Sequence, residues 1–377
     1  MLAGITNRPT YYDPFTNLDN SKARQKVILK KMKELGKISD SEYQAALDEE
    51  ITIKRGSGTG TSGHSYFIDA VIEDVIADLK EKKNMSEKDA SNLIYGGGLK
   101  IYTTSDSKVQ SAIDEIYINK ESDTFAVFKK LEKQPESAIV IIDYKTGHIV
   151  GMAGGRGEKT GKREFNRATQ AKRQPGSTIK PLAIYGPAIE DGKITAATII
   201  SDTPLTVDIP GSKPWSPTNW YNSYYGNVTV RYAIEQSMNV PAVRVLQMIG
   251  LPRAYNALVS EGITTLDKKW DMNYAPLSLG GLTNGVTVKE WTAAYGMIAN
   301  AGTYIKPVTY TKVEDSTGTI ILQNKRDEKR VFSSGTAYVL TDIMTGVVNK
   351  GTARSARLAN SVAAGKTGST SDTKDKW

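Results

Sequence analysis

The sequence contains no cysteine, so chemistry that depends on a thiol is excluded. Disulfide bonds, cysteine-ligated zinc, iron–sulfur clusters and a cysteine nucleophile all require that side chain. Histidine is almost as scarce, with only His64 and His148 among 377 residues. A histidine-rich metal site is therefore excluded, and a Ser-His-Asp triad would have to use one of these two residues.

Long apolar runs are missing as well. The longest strand-like run covers residues 138–142, far short of the roughly 20 apolar residues that a membrane-spanning helix needs. No basic segment followed by an apolar core marks a secretory signal peptide after Met1. The 49 Lys and Arg against 41 Asp and Glu leave a net charge of +8, which does not by itself indicate a nucleic-acid partner.

The composition that remains is that of a globular protein with more than one domain. Hydrophobic residues make up 39% and charged residues 24% of the chain, so a disordered protein is not expected. A Gly/Ser/Thr run over residues 56–63 has the composition of a flexible linker. We predict three segments, 1–55, 56–133 and 134–377.

Local patterns predict an α+β fold. Helices are expected over 21–35, 66–79, 109–117, 287–300 and 336–348 from apolar spacing, with capping boxes at Ser39/Glu42 and Thr287/Glu290. Strands are expected over 99–103, 138–143, 148–153 and 304–313, the middle two joined by a hairpin turn. Strands on both sides of a helical middle predict one sheet built from distant segments.

A candidate catalytic serine lies in the segment Gln-Pro-Gly-Ser-Thr-Ile-Lys-Pro, residues 174–181. Pro181 fits a helix only in its first turn, so we expect a helix to begin near Ser177. Lys180 then lies one turn after Ser177 on the same face. A serine hydroxyl needs a base to become a nucleophile, and with so little histidine, a lysine of depressed pKa is the best candidate.

Ser-x-x-Lys alone is weak, since it also occurs at Ser105/Lys108 and Ser371/Lys374. Lys-Thr-Gly likewise occurs three times, at residues 145–147, 159–161 and 366–368. Only one ordered set combines Ser-x-x-Lys at Ser177, Ser-x-Asn at Ser237 and Lys-Thr-Gly followed by Ser-Thr at Lys366. That ordered triple is the signature of the β-lactamase and penicillin-binding protein group.

Across essentially its whole length, the chain resembles a class A (bifunctional) penicillin-binding protein of Gram-positive type. The resemblance rests on residues 173–177 and 365–368, on the strand-like segment 97–104, and on the Asp-Lys-Trp at 375–377. It implies a helical glycosyltransferase remnant over 1–55, an α+β linker region over 56–133 and a transpeptidase domain over 134–377, in which an antiparallel sheet is flanked by helices.

The resemblance also assigns catalytic roles. Ser177 would attack the carbonyl between two terminal D-alanines of a peptidoglycan stem peptide, and Lys180 would take its proton. Ser237 would relay a proton to the leaving D-alanine, with Lys366 nearby. β-Lactams would mimic the dipeptide and leave Ser177 acylated.

Substrate-binding roles follow from the same resemblance. Asn239 would hydrogen-bond the substrate amide, and the hydroxyls of Thr367 and Ser369 would bind its carboxylate, within a binding segment that also includes Gly368 and Thr370. The backbone N–H groups of Ser177 and Ser369 would form the oxyanion hole. No cofactor and no metal are implied.

For the parent protein, the resemblance implies the extracellular face of the bacterial plasma membrane, a membrane anchor, glycosyltransferase activity and contact with cell-wall synthesis proteins. Because the anchor, most of the glycosyltransferase domain and the sheet strands after Lys-Thr-Gly are not in the sequence, we expect this chain to be weakly active or inactive.

Three other functions stay open. A serine β-lactamase or D,D-carboxypeptidase would share the acylation step but needs a base that activates water. A non-catalytic penicillin-recognising sensor would need sensor helices, which the sequence does not show. A nucleic-acid binder is the weakest of the three, since no basic face interleaves with Tyr221, Tyr224 and Tyr225.

Overall fold

A computed structural model describes Arg8 and residues 11–12, 14, 17–49, 64–118, 123–132, 134–209, 211, 213–370 and 374–377. The chain folds as two compact units, Met1–Ser62 and Gly63–Trp377. The predicted linker over 56–63 lies outside the described residues, and the predicted segment boundaries stay a prediction. In the described part of the chain, no helix has both the length and the apolarity needed to cross a bilayer.

The described part of the first unit contains two helices, α1 (Leu18–Glu34) and α2 (Asp40–Asp48). The predicted capping box of α2 is confirmed, because the Ser39 side chain accepts from the Glu42 backbone N–H while the Glu42 carboxylate accepts from the Ser39 N–H. Such reciprocal bonds satisfy N–H groups that have no partner inside the helix.

The second unit is mainly helical. Its α-helices are α3 (Tyr66–Lys83), α4 (Glu87–Gly96), α5 (Ser107–Tyr117), α6 (Gly186–Glu190), α7 (Val230–Glu235), α8 (Asn239–Ile249), α9 (Leu251–Ser260), α10 (Lys268–Asp271), α11 (Tyr274–Leu279), α12 (Val288–Ala299) and α13 (Ser334–Asn349). The helices predicted around 66–79, 109–117, 287–300 and 336–348 correspond to α3, α5, α12 and α13. The predicted capping box of Thr287 and Glu290 begins α12.

Its strands are short and lie in four separate sheets. They are β1 (Lys100–Thr103), β2 (Ile139–Asp143), β3 (His148–Ala153), β4 (Ile199–Asp202), β5 (Gly226–Thr229), β6 (Thr303–Ile305), β7 (Tyr310–Glu314), β8 (Ile320–Gln323) and β9 (Glu328–Arg330). One sheet has the order β1-β7-β8, and the antiparallel pairs β2-β3, β4-β5 and β6-β9 form the others.

The prediction of one sheet from distant segments is therefore wrong as a whole, although β1 does pair with β7 some 200 residues later. The single strand predicted over 304–313 is also wrong. It divides into β6 and β7, which belong to different sheets. Pro307 lies between them, and a proline has no N–H to continue a ladder.

Among the described residues, two large hydrophobic cores support this architecture, beside a small cluster of Val228, Ala233 and Met238. One packs α3 against the sheet strands, through Phe67, Val75 and Leu79 of the helix and Ile149 and Tyr310 of the strands. The other fills the helical middle and includes residues of α6 to α9, α12 and α13. The segment that carries Ser177 and Lys180 runs into this second core, so a polar site begins where buried apolar packing ends.

Candidate active site

The backbone around Ser177 is not the regular α-helix that the sequence predicted. A 3₁₀ turn covers Gly176–Thr178, and a π-helix covers Lys180–Tyr185 before α6 begins. Pro181 supplies the physical reason, since its ring lacks an N–H and collides with the carbonyl of a regular α-turn. The wider π-turn accommodates that ring, and π-turns are frequent at functional sites.

Ser177 is held by its neighbours. The Thr178 hydroxyl donates to Pro175 O at 2.6 Å and accepts from Trp291 Nε1 at 2.8 Å. Tyr295 Oη donates to Thr178 O at 2.7 Å. Ser177 itself is partly exposed, so this fixed backbone presents a hydroxyl that can be reached from outside.

Lys180 lies in the second core with no exposed surface. Its Nζ donates to Ser237 O at 2.9 Å, to Met238 O at 3.1 Å and to Asn239 Oδ1 at 2.7 Å. Burial, and then the charge of Lys366, lower the pKa of Lys180 well below its usual value. A lysine in this state can be neutral near pH 7, when its nitrogen lone pair can accept a proton.

Ser237 connects the second and third motifs. Its backbone adopts a positive φ of 56° between α7 and α8, a conformation that non-glycine residues rarely adopt. Lys366 Nζ donates to Ser237 Oγ at 2.7 Å and to Thr367 O at 2.9 Å. Burial lowers the pKa of Lys366 to about 7. The structure thus joins Ser237 to both predicted lysines, to one through its carbonyl and to the other through its hydroxyl.

The segment after Lys366 packs against the Ser177 turn. Gly176 has a φ of +54°, and a Cβ there would overlap the backbone of Ser369; a Cβ on Gly368 would overlap Pro175 O. Glycine at both positions therefore allows two backbones to touch. The Ser177 turn and the Lys-Thr-Gly segment form two adjoining walls of one site.

The Lys-Thr-Gly segment is not a strand in this structure. Only an isolated antiparallel bridge joins Ser369 to Lys376. Gly368 and Trp377 exchange two backbone hydrogen bonds, both 3.0 Å long, and Trp377 Nε1 donates to Gln174 O at 2.8 Å. The terminal Asp-Lys-Trp therefore pairs with the Lys-Thr-Gly segment.

The remaining predicted residues lie along the same segment. The hydroxyls of Thr367 and Thr352 are 2.6 Å apart, and Ser369 Oγ accepts from Lys376 Nζ at 3.1 Å. Thr370 is buried, and its hydroxyl accepts from Asp375 N at 3.1 Å. The Ser-x-x-Lys copy at Ser105 lies in an exposed turn before α5, and the Lys-Thr-Gly copy at Lys145 lies in the β2–β3 hairpin.

The sequence analysis missed two buried polar residues behind the site, Asp202 and Asn219, with exposures of 0% and 2%. Asn219 Oδ1 accepts from the backbone N–H of Asn239 at 2.9 Å, and Asn219 Nδ2 donates to Asp202 Oδ1 at 2.7 Å. The signal was a carboxylate that ends the apolar strand-like run 199–202, where a charge is costly unless it is hydrogen-bonded. Within the described ranges, no cluster of three or more acidic or histidine side chains could hold a metal ion.

Comparison with known proteins agrees with the ordered motifs. Residues 137–376 match the family model described as the penicillin-binding protein transpeptidase domain. The chain is 34% identical over 398 residues to penicillin-binding protein 1A of Clostridium botulinum strain Langeland, covering 100% of this chain and 47% of that protein. It is 33% identical over 373 residues to penicillin-binding protein 1A/1B of Bacillus subtilis strain 168, covering 98% of this chain and 38% of that protein.

A solved structure shows the same fold. The crystal structure of penicillin-binding protein 1A from Haemophilus influenzae superposes with a TM-score of 0.73 at 21% identity, covering 98% of this chain and 71% of that one. The chain spans about half the length, 47%, of the Clostridium botulinum relative. These similarities confirm the fold class and the family resemblance that the sequence motifs indicated.

Proposed function

The chain belongs to the penicillin-binding protein transpeptidase family, and from this premise we propose that it is a serine D,D-transpeptidase with Ser177 as the nucleophile. The observation that carries the proposal is the junction at Ser237. Its carbonyl accepts from Lys180 at 2.9 Å, while its hydroxyl accepts from Lys366 at 2.7 Å. Three motifs far apart in sequence thus meet at one serine beside the Ser177 turn.

Acylation begins with Ser177. The neutral fraction of Lys180 accepts the hydroxyl proton while Oγ attacks the carbonyl carbon between the two terminal D-alanines of a stem peptide. Lys180 suits this step because burial depresses its pKa and because it follows Ser177 by three residues, where the 3₁₀ turn passes into the π-helix. In its neutral form it keeps two N–H donors for the 237–239 segment and frees a lone pair for the proton.

The tetrahedral intermediate then breaks its C–N bond. Ser237 Oγ passes a proton to the leaving D-alanine amine and is reprotonated through Lys366, whose Nζ is 2.7 Å away. The product is an ester between Ser177 and the penultimate D-alanine. The amine of a neighbouring stem peptide then attacks the ester carbonyl and gives up a proton through Ser237 to Lys366. The C–O bond to Ser177 breaks, Ser177 Oγ regains its proton from Lys180, and the new amide is the cross-link.

The groups around these residues would bind the substrate. The Asn239 amide would contact the substrate amide, and the segment of Thr367, Gly368, Ser369 and Thr370 would bind its terminal carboxylate. The N–H groups of Ser177 and Ser369 would stabilise the oxyanion, which the close packing of Gly176 on the Ser369 backbone supports. β-Lactams would enter the same site and acylate Ser177.

The wider setting follows from the family. We infer that the protein acts at the outer face of the bacterial plasma membrane on peptidoglycan, together with other cell-wall synthesis proteins. Its relatives are about twice as long as this chain. For a full-length parent protein we also infer glycosyltransferase activity and a membrane anchor.

An exchange reaction tests the proposal. The chain is incubated with an N-acylated tripeptide ending in D-Ala-D-Ala and an excess of a different D-amino acid, and the products are separated by mass spectrometry. We expect the exchanged peptide to exceed the hydrolysed one, and Ser177→Ala to abolish both products.

Ser105→Ala is the matched control, because Ser105 begins another Ser-x-x-Lys but lies in an exposed turn. It should leave the reaction unchanged. Predominant hydrolysis would instead indicate a D,D-carboxypeptidase. Neither product from the wild-type chain, or full activity of Ser177→Ala, would overturn the proposal.

A further inference from the structure

Asp202, at the end of β4, is a buried carboxylate without a basic partner among the described residues. It has no exposed surface. Three donors satisfy it: Asn219 Nδ2 at 2.7 Å, Tyr221 Oη at 3.1 Å and the Tyr225 backbone N–H at 2.9 Å. An unpaired charge in such a place is retained only where its hydrogen bonds do something that a neutral side chain cannot.

A chain of hydrogen bonds leads from this carboxylate to the proposed base. Asn219 donates through Nδ2 to Asp202 and accepts through Oδ1 from the backbone N–H groups of Asn239, at 2.9 Å, and Val240, at 3.2 Å. Asn239 Oδ1 in turn accepts from Lys180 Nζ at 2.7 Å. Two residues, Asn219 and Asn239, thus separate the Asp202 carboxylate from the Lys180 amine.

The direction of these hydrogen bonds is set at one end. A carboxylate can only accept, whereas an asparagine amide can present either its oxygen or its nitrogen. Asp202 therefore requires Asn219 to turn Nδ2 toward it, and this leaves Oδ1 facing the first turn of α8. The second Nδ2 proton is used by Ser223 O at 3.1 Å, which favours the same orientation.

We propose that Asp202 is a positioning residue, which through Asn219 fixes the start of α8 and so holds Asn239 against Lys180. The inference rests on the proposed function of Lys180 as the base that activates Ser177. Asp202 does not touch the substrate. We call the hydrogen-bonded series Asp202–Asn219–Asn239–Lys180 the relay. Asp202 fixes which groups in the relay donate and which accept, whereas a neutral amide at position 202 would allow either direction.

Asp202→Asn removes that direction with almost no change in size. If the new amide turns its nitrogen toward Asn219, two N–H donors face each other. Asn219 can avoid this by rotating its amide, but its N–H groups then face the backbone N–H groups of Asn239 and Val240. If it turns its nitrogen the other way, it opposes the Tyr225 N–H. Each arrangement leaves a buried donor unsatisfied, which is costly.

Exchanging the two side chains restores the direction. In the double variant Asp202→Asn with Asn219→Asp, the amide oxygen at 202 accepts from Tyr221 and Tyr225, and its nitrogen donates to the new carboxylate. That carboxylate accepts from the N–H groups of Asn239 and Val240, as the Asn219 oxygen did. The hydrogen bond to Ser223 O is lost, and that carbonyl then faces a carboxylate oxygen, so we expect recovery to be substantial and incomplete.

The test compares four proteins, the wild-type chain, Asp202→Asn, the exchanged double variant and Asp271→Asn. Asp271 is a matched control, since it is equally buried and accepts from Thr283 N and Thr283 Oγ1, both at 2.7 Å, and from Asp267 N at 2.9 Å, outside the relay. Two quantities are measured, the second-order rate constant of acylation by benzylpenicillin and the hydrogen-exchange protection of the Asn239 and Val240 amides.

We expect Asp202→Asn to lower the acylation rate constant about tenfold or more and to reduce amide protection at Asn239 and Val240. The exchanged variant should recover most of the acylation rate constant and most of the amide protection. Asp271→Asn should change neither quantity. Should Asp202→Asn fail to fold, an exchanged variant that folds and is acylated supports the relay.

The inference is wrong if the exchanged variant is as impaired as Asp202→Asn. It is also wrong if Asp202→Asn keeps the wild-type acylation rate and amide protection, or if Asp271→Asn loses as much of both as Asp202→Asn does. If the wild-type chain is not acylated at all, the proposed function fails. Amide protection still tests the relay in that case. The relay is supported if protection of Asn239 and Val240 is lost in Asp202→Asn and restored in the exchanged variant, and it is refuted by any other result.

Discussion

At the scale of single residues, the site depends on two lysines that share one serine. Lys180 is fully buried and Lys366 partly so, and burial depresses the pKa of both. The charge of Lys366 lowers the pKa of Lys180 further. In the proposed mechanism the two amines have different roles, because the deeper one takes the Ser177 proton and the other acts on Ser237.

This coupling predicts a shift in pH dependence for Lys366→Met. The substitution removes the second cause that lowers the pKa of Lys180 and leaves the first, burial. The pKa of Lys180 should therefore rise, its neutral fraction at pH 7 should fall, and the increase of the acylation rate with pH should move to higher pH. A shift of one pH unit corresponds to roughly a tenfold loss at the lower pH.

The measurement is the acylation rate constant with benzylpenicillin between pH 5 and 9. Lys145→Met is the control, since Lys145 begins another Lys-Thr-Gly but is exposed in the β2–β3 turn. It should keep the wild-type profile. A Lys366→Met profile unchanged in position, or moved to lower pH, would show that the Lys366 charge does not act on the base.

At the scale of elements, the Ser177 turn is held where three backbone segments touch. Gly176 packs on the Ser369 backbone, and a Cβ on Gly280, after α11, would overlap the Gly176 backbone. Both glycines have positive φ, +54° and +76°. Ser177, the proposed nucleophile, is therefore placed by close backbone packing. A side chain on Gly176 or Gly280 would prevent that packing.

Gly176→Ala should separate these segments and lower the acylation rate about a hundredfold, since a displacement of about 1 Å at a reacting group has that effect. Gly192→Ala is the matched control, because Gly192 also has a positive φ, +65°, but nothing lies within 4 Å of its Cβ position. It should cost roughly 1 kcal/mol of stability and leave acylation unchanged. Equal acylation rates in the two variants would refute the packing argument.

Elements with strong local signals were predictable from the sequence. The capping boxes of α2 and α12 and the β2–β3 hairpin each follow from a few neighbouring residues. The division into four sheets was not predictable, because strand pairing depends on contacts between distant residues that no local pattern contains. The π-turn after Ser177 was missed although Pro181 causes it: the ring crowds the carbonyl of a regular α-turn, but the sequence does not show which wider turn relieves that crowding.

The site was predictable to the same extent. The order of three short motifs identified the residues that meet at Ser237. Asp202 and Asn219 belong to no such motif, and they matter only because the fold places them behind Asn239. The pairing of Gly368 with Trp377 depends likewise on where two chain segments meet.

At the scale of the whole molecule, buried titratable groups link folding to pH. Glu261, at the end of α9, has no exposed surface, and neither of its carboxylate oxygens has a hydrogen-bond partner in the part of the chain that the structure describes. Burial raises its pKa to about 8, against the opposing charges of Arg253 and Lys329. Between the ordinary pKa, near 4.5, and about 8, the folded protein keeps a proton that the unfolded chain has released.

Folding free energy from Glu261 is therefore fully present below the ordinary pKa and is lost as the pH rises toward 8. Glu261→Gln cannot titrate, so the wild-type chain should lose unfolding free energy relative to the variant between pH 5 and pH 8, on the order of a few kcal/mol. Urea denaturation of both proteins at the two pH values measures the difference. The lysines of the site shift stability in the opposite sense with pH, but equally in both proteins, so they cancel. A difference that is the same at both pH values would contradict the buried, protonated state of Glu261.

We propose Ser177 as the nucleophile of a penicillin-sensitive acyl transfer. The most direct test is the intact mass of the chain after incubation with benzylpenicillin, followed by peptide mapping of any adduct, for the wild-type chain, Ser177→Ala and Ser105→Ala. We expect one stable adduct on the peptide that contains Ser177. It should be present in the wild-type chain and in Ser105→Ala, and absent in Ser177→Ala. An adduct on another residue, an adduct that persists in Ser177→Ala, or no adduct on the wild-type chain would contradict it.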